Sequence, residues 1–231
     1  HRDLHSFPTR RSSDLIRQLY IEGLEKLGNW KTALLERLDL LATSKNPGIQ
    51  AIFAAAECAI KADQPEKALE LCLPVLDENP EDDLALGLCA QAYCKSEDFI
   101  TSIDYFRKAV RVAPARAELW LMLAKACMLA GMEAQRLDVL KAASQALPEE
   151  ADIQLKLGEV YLTRNAPAQA LIYLRRAVSL DGKPQIALRL GQTLLQLGHL
   201  EEACELLEKT LHIVQENRIA VDPDQQPELL E

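Results

Sequence analysis

The chain has 231 residues, 48 % of them apolar and 26 % charged, with a formal net charge of −9. The acid excess argues against nucleic acid as a partner, because neutralising phosphates takes clustered Lys and Arg. No stretch approaches the run of about 18 apolar residues that spans a bilayer, so no membrane span is expected.

In chain order, residues 1–15 are polar, begin without methionine and lack apolar spacing of helical period. Ser6-Phe7-Pro8-Thr9-Arg10-Arg11-Ser12-Ser13-Asp14-Leu15 resembles one reading frame of a sequencing adaptor translated into protein. That resemblance implies a non-native segment, ahead of which a signal peptide, an anchor or a whole domain could have stood.

Beyond residue 15 the apolar residues recur at helical steps of three and four. In 83–114 they run Leu86, Cys89, Ala90, Tyr93, then Ile100, Ile103, Phe106, Val110, broken by Lys95-Ser96-Glu97-Asp98. Pro80, Pro114 and Pro148 follow such double runs at intervals of 34 residues, where a second helix must stop. Residue types repeat at the same interval. Position eight of each unit carries Ala56, Ala90, Ala124 and Gly158; position twenty-four carries Cys72, Phe106, Leu140 and Leu174. A small residue on one helix receives a large one from its neighbour. A fixed period of this length means stacked copies of one helix–turn–helix unit. Six such units are expected, at about 16–46, 49–80, 83–114, 117–148, 151–182 and 184–215, the last slipped by one residue and with Gly182 where proline is due. The acidic stretch 217–231, with Pro223 and Pro227, is expected to be disordered.

The unit 83–114, with Ala90, Tyr93, Ser102, Phe106, Ala109 and Pro114, resembles the tetratricopeptide repeat; 117–148 adds Trp120, Gly131 and Pro148, and 151–182 adds Leu157-Gly158, Tyr161, Ala170 and Ala177. The segment 16–46 is degenerate: Gly28-Asn29-Trp30 and Ala33 fit, whereas Ile21 and Arg37 do not. The resemblance covers roughly 200 residues and implies an all-α, right-handed superhelical α-solenoid whose first helices line a concave groove. It also implies a non-catalytic scaffold that binds a protein or peptide. An alternative is the regulatory or substrate-positioning arm of an enzyme whose catalytic domain lies outside this chain. A third reading is a structural protein that assembles through end-to-end contacts.

In the family's architecture, positions two, five, nine and twelve of each first helix face the groove. Two apolar rails result, Phe53, Leu121, Leu155, Leu188 and Ile60, Met128, Leu162, Leu195. Between them runs a polar row of Glu57, Gln91, Lys125, Glu159 and Gln192. Rails and row suit an amphipathic helix or extended peptide; the same leucines could instead pack neighbouring first helices together. Repeats that clamp the acidic tails of chaperones resemble one another in placing Lys at position five and Asn at nine. Phe, Gly or Leu stands at five here and Asn never at nine, so no carboxylate clamp is expected.

Six cysteines, Cys58, Cys72, Cys89, Cys94, Cys127 and Cys204, include no Cys-x-x-Cys pair, and His199 and His212 are the only histidines beyond residue 15. A zinc site needs about four convergent ligands, so no metal or cofactor is expected. Unpaired thiols on apolar helix faces suit the cytosol. No nucleophile–base set has a catalytic spacing. The acidic run 77–83 reads as a helix start and the basic stretch around Arg107, Lys108 and Arg111 as a solvated face.

Overall fold

A computed structural model describes the backbone of residues 10–44 and 47–221 and the side chains of 15–44 and 47–216. The described residues form twelve α-helices: α1 Arg10–Lys26, α2 Trp30–Thr43, α3 Ile49–Lys61, α4 Pro65–Glu78, α5 Asp83–Lys95, α6 Phe99–Val112, α7 Ala117–Leu129, α8 Glu133–Ala146, α9 Ala151–Thr163, α10 Pro167–Leu180, α11 Pro184–Gln196 and α12 Leu200–Val221. From α3 onward, first helices start at residues 49, 83, 117, 151 and 184, and second helices at 65, 99, 133, 167 and 200. The one-residue slip therefore falls in the linker 181–183, which is three residues long where the linkers after α4, α6 and α8 have four. There Asp181 Oδ1 accepts from Lys183 N at 3.1 Å and pairs with its ammonium group.

Two helices are longer than the repeat requires. α1 starts at Arg10, inside the segment that lacks apolar spacing, and α12 runs on to Val221. Once a packed turn exists, adding helical residues needs no further apolar contact. Residues 1–9 and 222–231, on which the rest of the adaptor-like segment and the acidic tail fall, lie outside the described residues.

The turn inside each repeat is closed by backbone. One left-handed residue stands in each: Gly28, Asp63, Glu97, Gly131, Asn165 and Gly198, with φ between 55° and 80°. In every case the next amide reaches back five residues, as in Asp98 N to Tyr93 O at 3.0 Å and Ala166 N to Tyr161 O at 2.9 Å. This closure satisfies helix-end carbonyls that would otherwise be orphaned. Second helices then start on Asn29 or Asp98, whose side chains accept from Thr32 N and Thr101 N, or on a proline at the first turn, Pro65 and Pro167.

The chain divides into two compact units, His1–Met132 with α1–α7 and Glu133–Glu231 with α8–α12. In the first unit each helix packs on its sequence neighbours, and α3 also meets α5. Its core joins Ile21, Leu34, Cys58, Cys72 and Leu88. Tyr93 and Tyr105 bring their rings to 5.3 Å, and Ser102 donates to the Ala90 carbonyl at 2.7 Å in the α5–α6 contact. In the second unit Leu171, Leu174, Leu190, Leu194 and Ala203 form one cluster, and Ala151, Ala177 and Ile186 another. Tyr161 and Tyr173 stack at 5.3 Å, repeating the tyrosine pair of α5 and α6. Gly158 faces Leu174 and Gly191 faces Leu207, so close that an added Cβ would stand 2.8 and 2.7 Å from them.

Candidate protein-binding surface

In the first unit Glu57 of α3 and Gln91 of α5 line one shallow cleft of about 50 Å³, together with Leu84, Gly87, Leu119 and Met122. Its floor is low because position five of α5 is glycine: a Cβ on Gly87 would come 3.2 Å from Leu119 Cδ2. Arg116 stands at its edge, pairing with Asp83 at 2.5 Å and Glu118 at 3.8 Å. Lys125 and Met128 are exposed and Leu121 is half-buried. Phe53 and Ile60 sit inside the core, 5 % and 8 % exposed, and there act as packing between helices. Cys94, at position twelve of α5, has its thiol pushed up by burial, against the opposing pull of Ser102, Lys125 and Lys95.

A second cavity of this unit, about 430 Å³, opens between α1, α2 and α3 and is lined by Gln18, Glu22, Arg37, Leu41 and Ser44 among others. Arg37 Nε and Nη2 both reach Glu25 Oε1 at 2.8 Å. That pair explains why Arg37 departs from the repeat pattern. The opposite charges of Glu25 and Arg37 were the available signal, but nothing in the spacing joined them.

In the second unit Leu155 and Leu162 are half-buried against the α10–α11 core, while Leu188 and Leu195 of α11 are 51 % and 46 % exposed. The polar row is bridged here. Arg189 Nη2 lies 3.7 Å from Glu159 Oε1, and its Nη1 donates to Gln192 Oε1 at 3.4 Å; Lys156 Nζ holds Glu159 Oε2 at 2.9 Å. Position six of α11, occupied by Arg189, lies outside the two–five–nine–twelve frame, and so the spacing rule passed over it. Gln154 was passed over as well. It is fully buried, and its amide donates to Ser144 Oγ at 3.0 Å and to the Pro148 carbonyl at 3.2 Å, tying α9 to the end of α8.

Helix pairs at steps of 33 to 35 residues, closed by one recurrent turn and carrying leucines and polar groups on their first helices, define a helical-repeat protein. Family models described as tetratricopeptide repeat match residues 133–185 and 184–211. No curated protein matches the sequence. Solved structures do. MamA from Desulfovibrio magneticus is 17 % identical with a TM-score of 0.59, over 75 % of this chain and 98 % of that one. TTC0263, a thermophilic repeat protein of this kind in Thermus thermophilus, is 25 % identical with a TM-score of 0.52, over 71 % and 91 % of the two chains. YrrB, described as having an unusual peptide-binding site, is 18 % identical with a TM-score of 0.54, over 78 % and 93 %. The chain is a tetratricopeptide-repeat protein. Among the described residues no helix is long and apolar enough to cross a membrane.

Proposed function

We propose that this chain is a non-catalytic scaffold that holds a peptide or amphipathic helix of a partner protein on its exposed first-helix face. Tetratricopeptide repeats mediate protein–protein interactions, which supports the general reading. One observation carries the specific one: Leu188 and Leu195 stand exposed, seven residues apart on α11, beside the polar bridge from Glu159 through Arg189 to Gln192. Two turns of helix separate them by about 10 Å, the interval at which a partner helix repeats its own anchors. The cleft over Gly87, with Glu57 and Gln91, offers a second point of contact in the first unit. Position five is Phe53, Gly87, Leu121, Leu155 or Leu188, a set that leaves no cation to receive a chaperone's C-terminal carboxylates. None of the six cysteines is joined in a disulfide and four of them are buried, which suits a reducing compartment such as the cytosol.

The test is capture from a cell extract on the immobilised chain, compared with a chain carrying Leu188→Glu and Leu195→Glu. Both side chains are about half exposed, so helix content by circular dichroism should stay at the wild-type level. The captured protein should fall at least tenfold, the effect of losing two apolar anchors worth about 1 kcal/mol each or more. Equal capture by a folded double variant would remove α11 from the binding surface.

A further inference from the structure

We propose that Cys72 of α4 and Cys89 of α5 form an oxidisable dithiol, a site at which a hydroperoxide makes one reversible disulfide that clamps the second repeat to the third. In α4–α5, as in α6–α7, α8–α9 and α10–α11, the second helix of one repeat packs on the first helix of the next. At the eighth residue of the second helix and the seventh of the following first helix, the other three junctions hold Phe106 and Leu123, Leu140 and Leu157, and Leu174 and Leu190. All six are buried, and Leu174 and Leu190 share one cluster. In α4–α5 the same two positions hold Cys72 and Cys89, fully buried and in one cluster. Packing at this place is served elsewhere by leucine or phenylalanine, so it does not account for two sulfurs meeting here. Their side chains hydrogen-bond to each other. The neighbouring thiols look elsewhere: Cys58 donates to the Trp30 carbonyl at 3.4 Å, and Cys94 bonds with Ser102.

The hydrogen bond divides the roles. The Cys72 thiol donates to the Cys89 sulfur, which pushes Cys89 down against the opposing effect of burial and pushes Cys72 up. Cys89 is therefore the nucleophile. As a thiolate it attacks one oxygen of hydrogen peroxide. The O–O bond breaks, Cys89 becomes a sulfenic acid, and the departing hydroxide takes up a proton and leaves as water. The Cys72 sulfur then attacks the Cys89 sulfur. The S–S bond forms, the S–O bond breaks, and the Cys72 proton leaves with the hydroxide as a second water. Two thiols have lost two electrons and two hydrogens, and one peroxide has been reduced to two waters.

Access sets the rate. Because both sulfurs are buried, peroxide enters when the α4–α5 junction opens locally, which an array held by nearest-neighbour contacts allows without unfolding as a whole. The disulfide closes a loop over residues 73–88 and opposes that opening.

The experiment treats the folded full chain, carrying Cys204→Ser to remove the exposed thiol, with hydrogen peroxide. Its mass should fall by about 2 Da, the two thiol hydrogens. Cleavage after Glu70, Glu78, Glu81 and Glu97 without reduction should release residues 71–78 joined to 82–97. Cys94 lies on the second of these peptides, so the link should persist in Cys94→Ser and vanish in both Cys72→Ser and Cys89→Ser. Amide exchange in α4 and α5 should slow at least tenfold on oxidation, and dithiothreitol should reverse the change. A folded chain that links other cysteines, or that carries a sulfinic acid at Cys89 with no link, overturns the proposal. So does a link between Cys72 and Cys89 that leaves exchange in α4 and α5 unchanged, since the bond would then clamp nothing.

Discussion

Gly158, Gly191 and Gly87 show how finely the packing is set by single atoms. A methyl group at Gly158 would meet Leu174 Cγ at 2.8 Å and the Ala170 carbonyl at 3.4 Å, and Leu174 is fully buried with no space into which to retreat. At Gly191 the obstacle is Leu207, at 2.7 Å, but that side chain is only half-buried and can swing outward. At Gly87 the nearest atom, Leu119 Cδ2, is 3.2 Å away and needs to yield by only a few tenths of an ångström. Against these clashes stands the helix propensity of alanine, about 1 kcal/mol better than glycine. We expect Gly158→Ala to lose about 1–3 kcal/mol in urea unfolding. Gly191→Ala should lose less, and Gly87→Ala should fall within about 1 kcal/mol of wild type, the two effects nearly cancelling. A stabilised Gly158→Ala would mean that α9 and α10 can move apart at no cost.

At the scale of the element, the six intra-repeat turns share one backbone shape but not one residue type. Gly28, Gly131 and Gly198 adopt the left-handed region without a Cβ penalty, whereas Asp63, Glu97 and Asn165 adopt it with one. Glu97 at φ 62° is the least suited of these, since its long side chain lacks the local hydrogen bonding of Asn or Asp. Glu97→Gly should raise stability by about 0.5–1 kcal/mol, and Gly131→Ala should lower it by about 1 kcal/mol. Thermal unfolding of the two variants measures both signs, and a loss on Glu97→Gly would show that chain entropy outweighs the relief of strain. These turns also mark how far the chain could be read without coordinates. The 34-residue period, the helix pairs and the one-residue slip were legible, because proline, glycine and small residues leave marks at fixed places. The non-glycine turns were not, since closure is made by backbone amides that any residue supplies. Exposure along the first helices was not legible either. Position five is apolar in α3, α7 and α11, yet Phe53 is buried, Leu121 half-buried and Leu188 exposed. What the adjoining helix presents decides the outcome, and a frame that counts along one helix has no access to it. Arg189 and Gln154 escaped for the same reason, their partners lying on another helix.

For the whole molecule, packing within each unit is almost entirely between helices adjacent in sequence, α1 through α7 in one and α8 through α12 in the other. Stability in such arrays is a sum of local terms and nearest-neighbour terms rather than the property of one shared centre. The effect of a substitution should therefore stay close to its own repeat. Gly158→Ala should speed amide exchange in α9 and α10 and leave α1 and α2 unchanged.

The same nearest-neighbour arrangement, with its repeat of 34 residues, has a mechanical consequence. No strand is zipped across the described residues to hold them shut against a pull. Drawn out from its two ends, the chain should come apart one repeat at a time. Each release would yield about 120 Å of contour, 34 residues at roughly 3.6 Å each. The protein would then behave as a compliant spring, lengthening in even steps under small forces where a single-core domain holds until it ruptures.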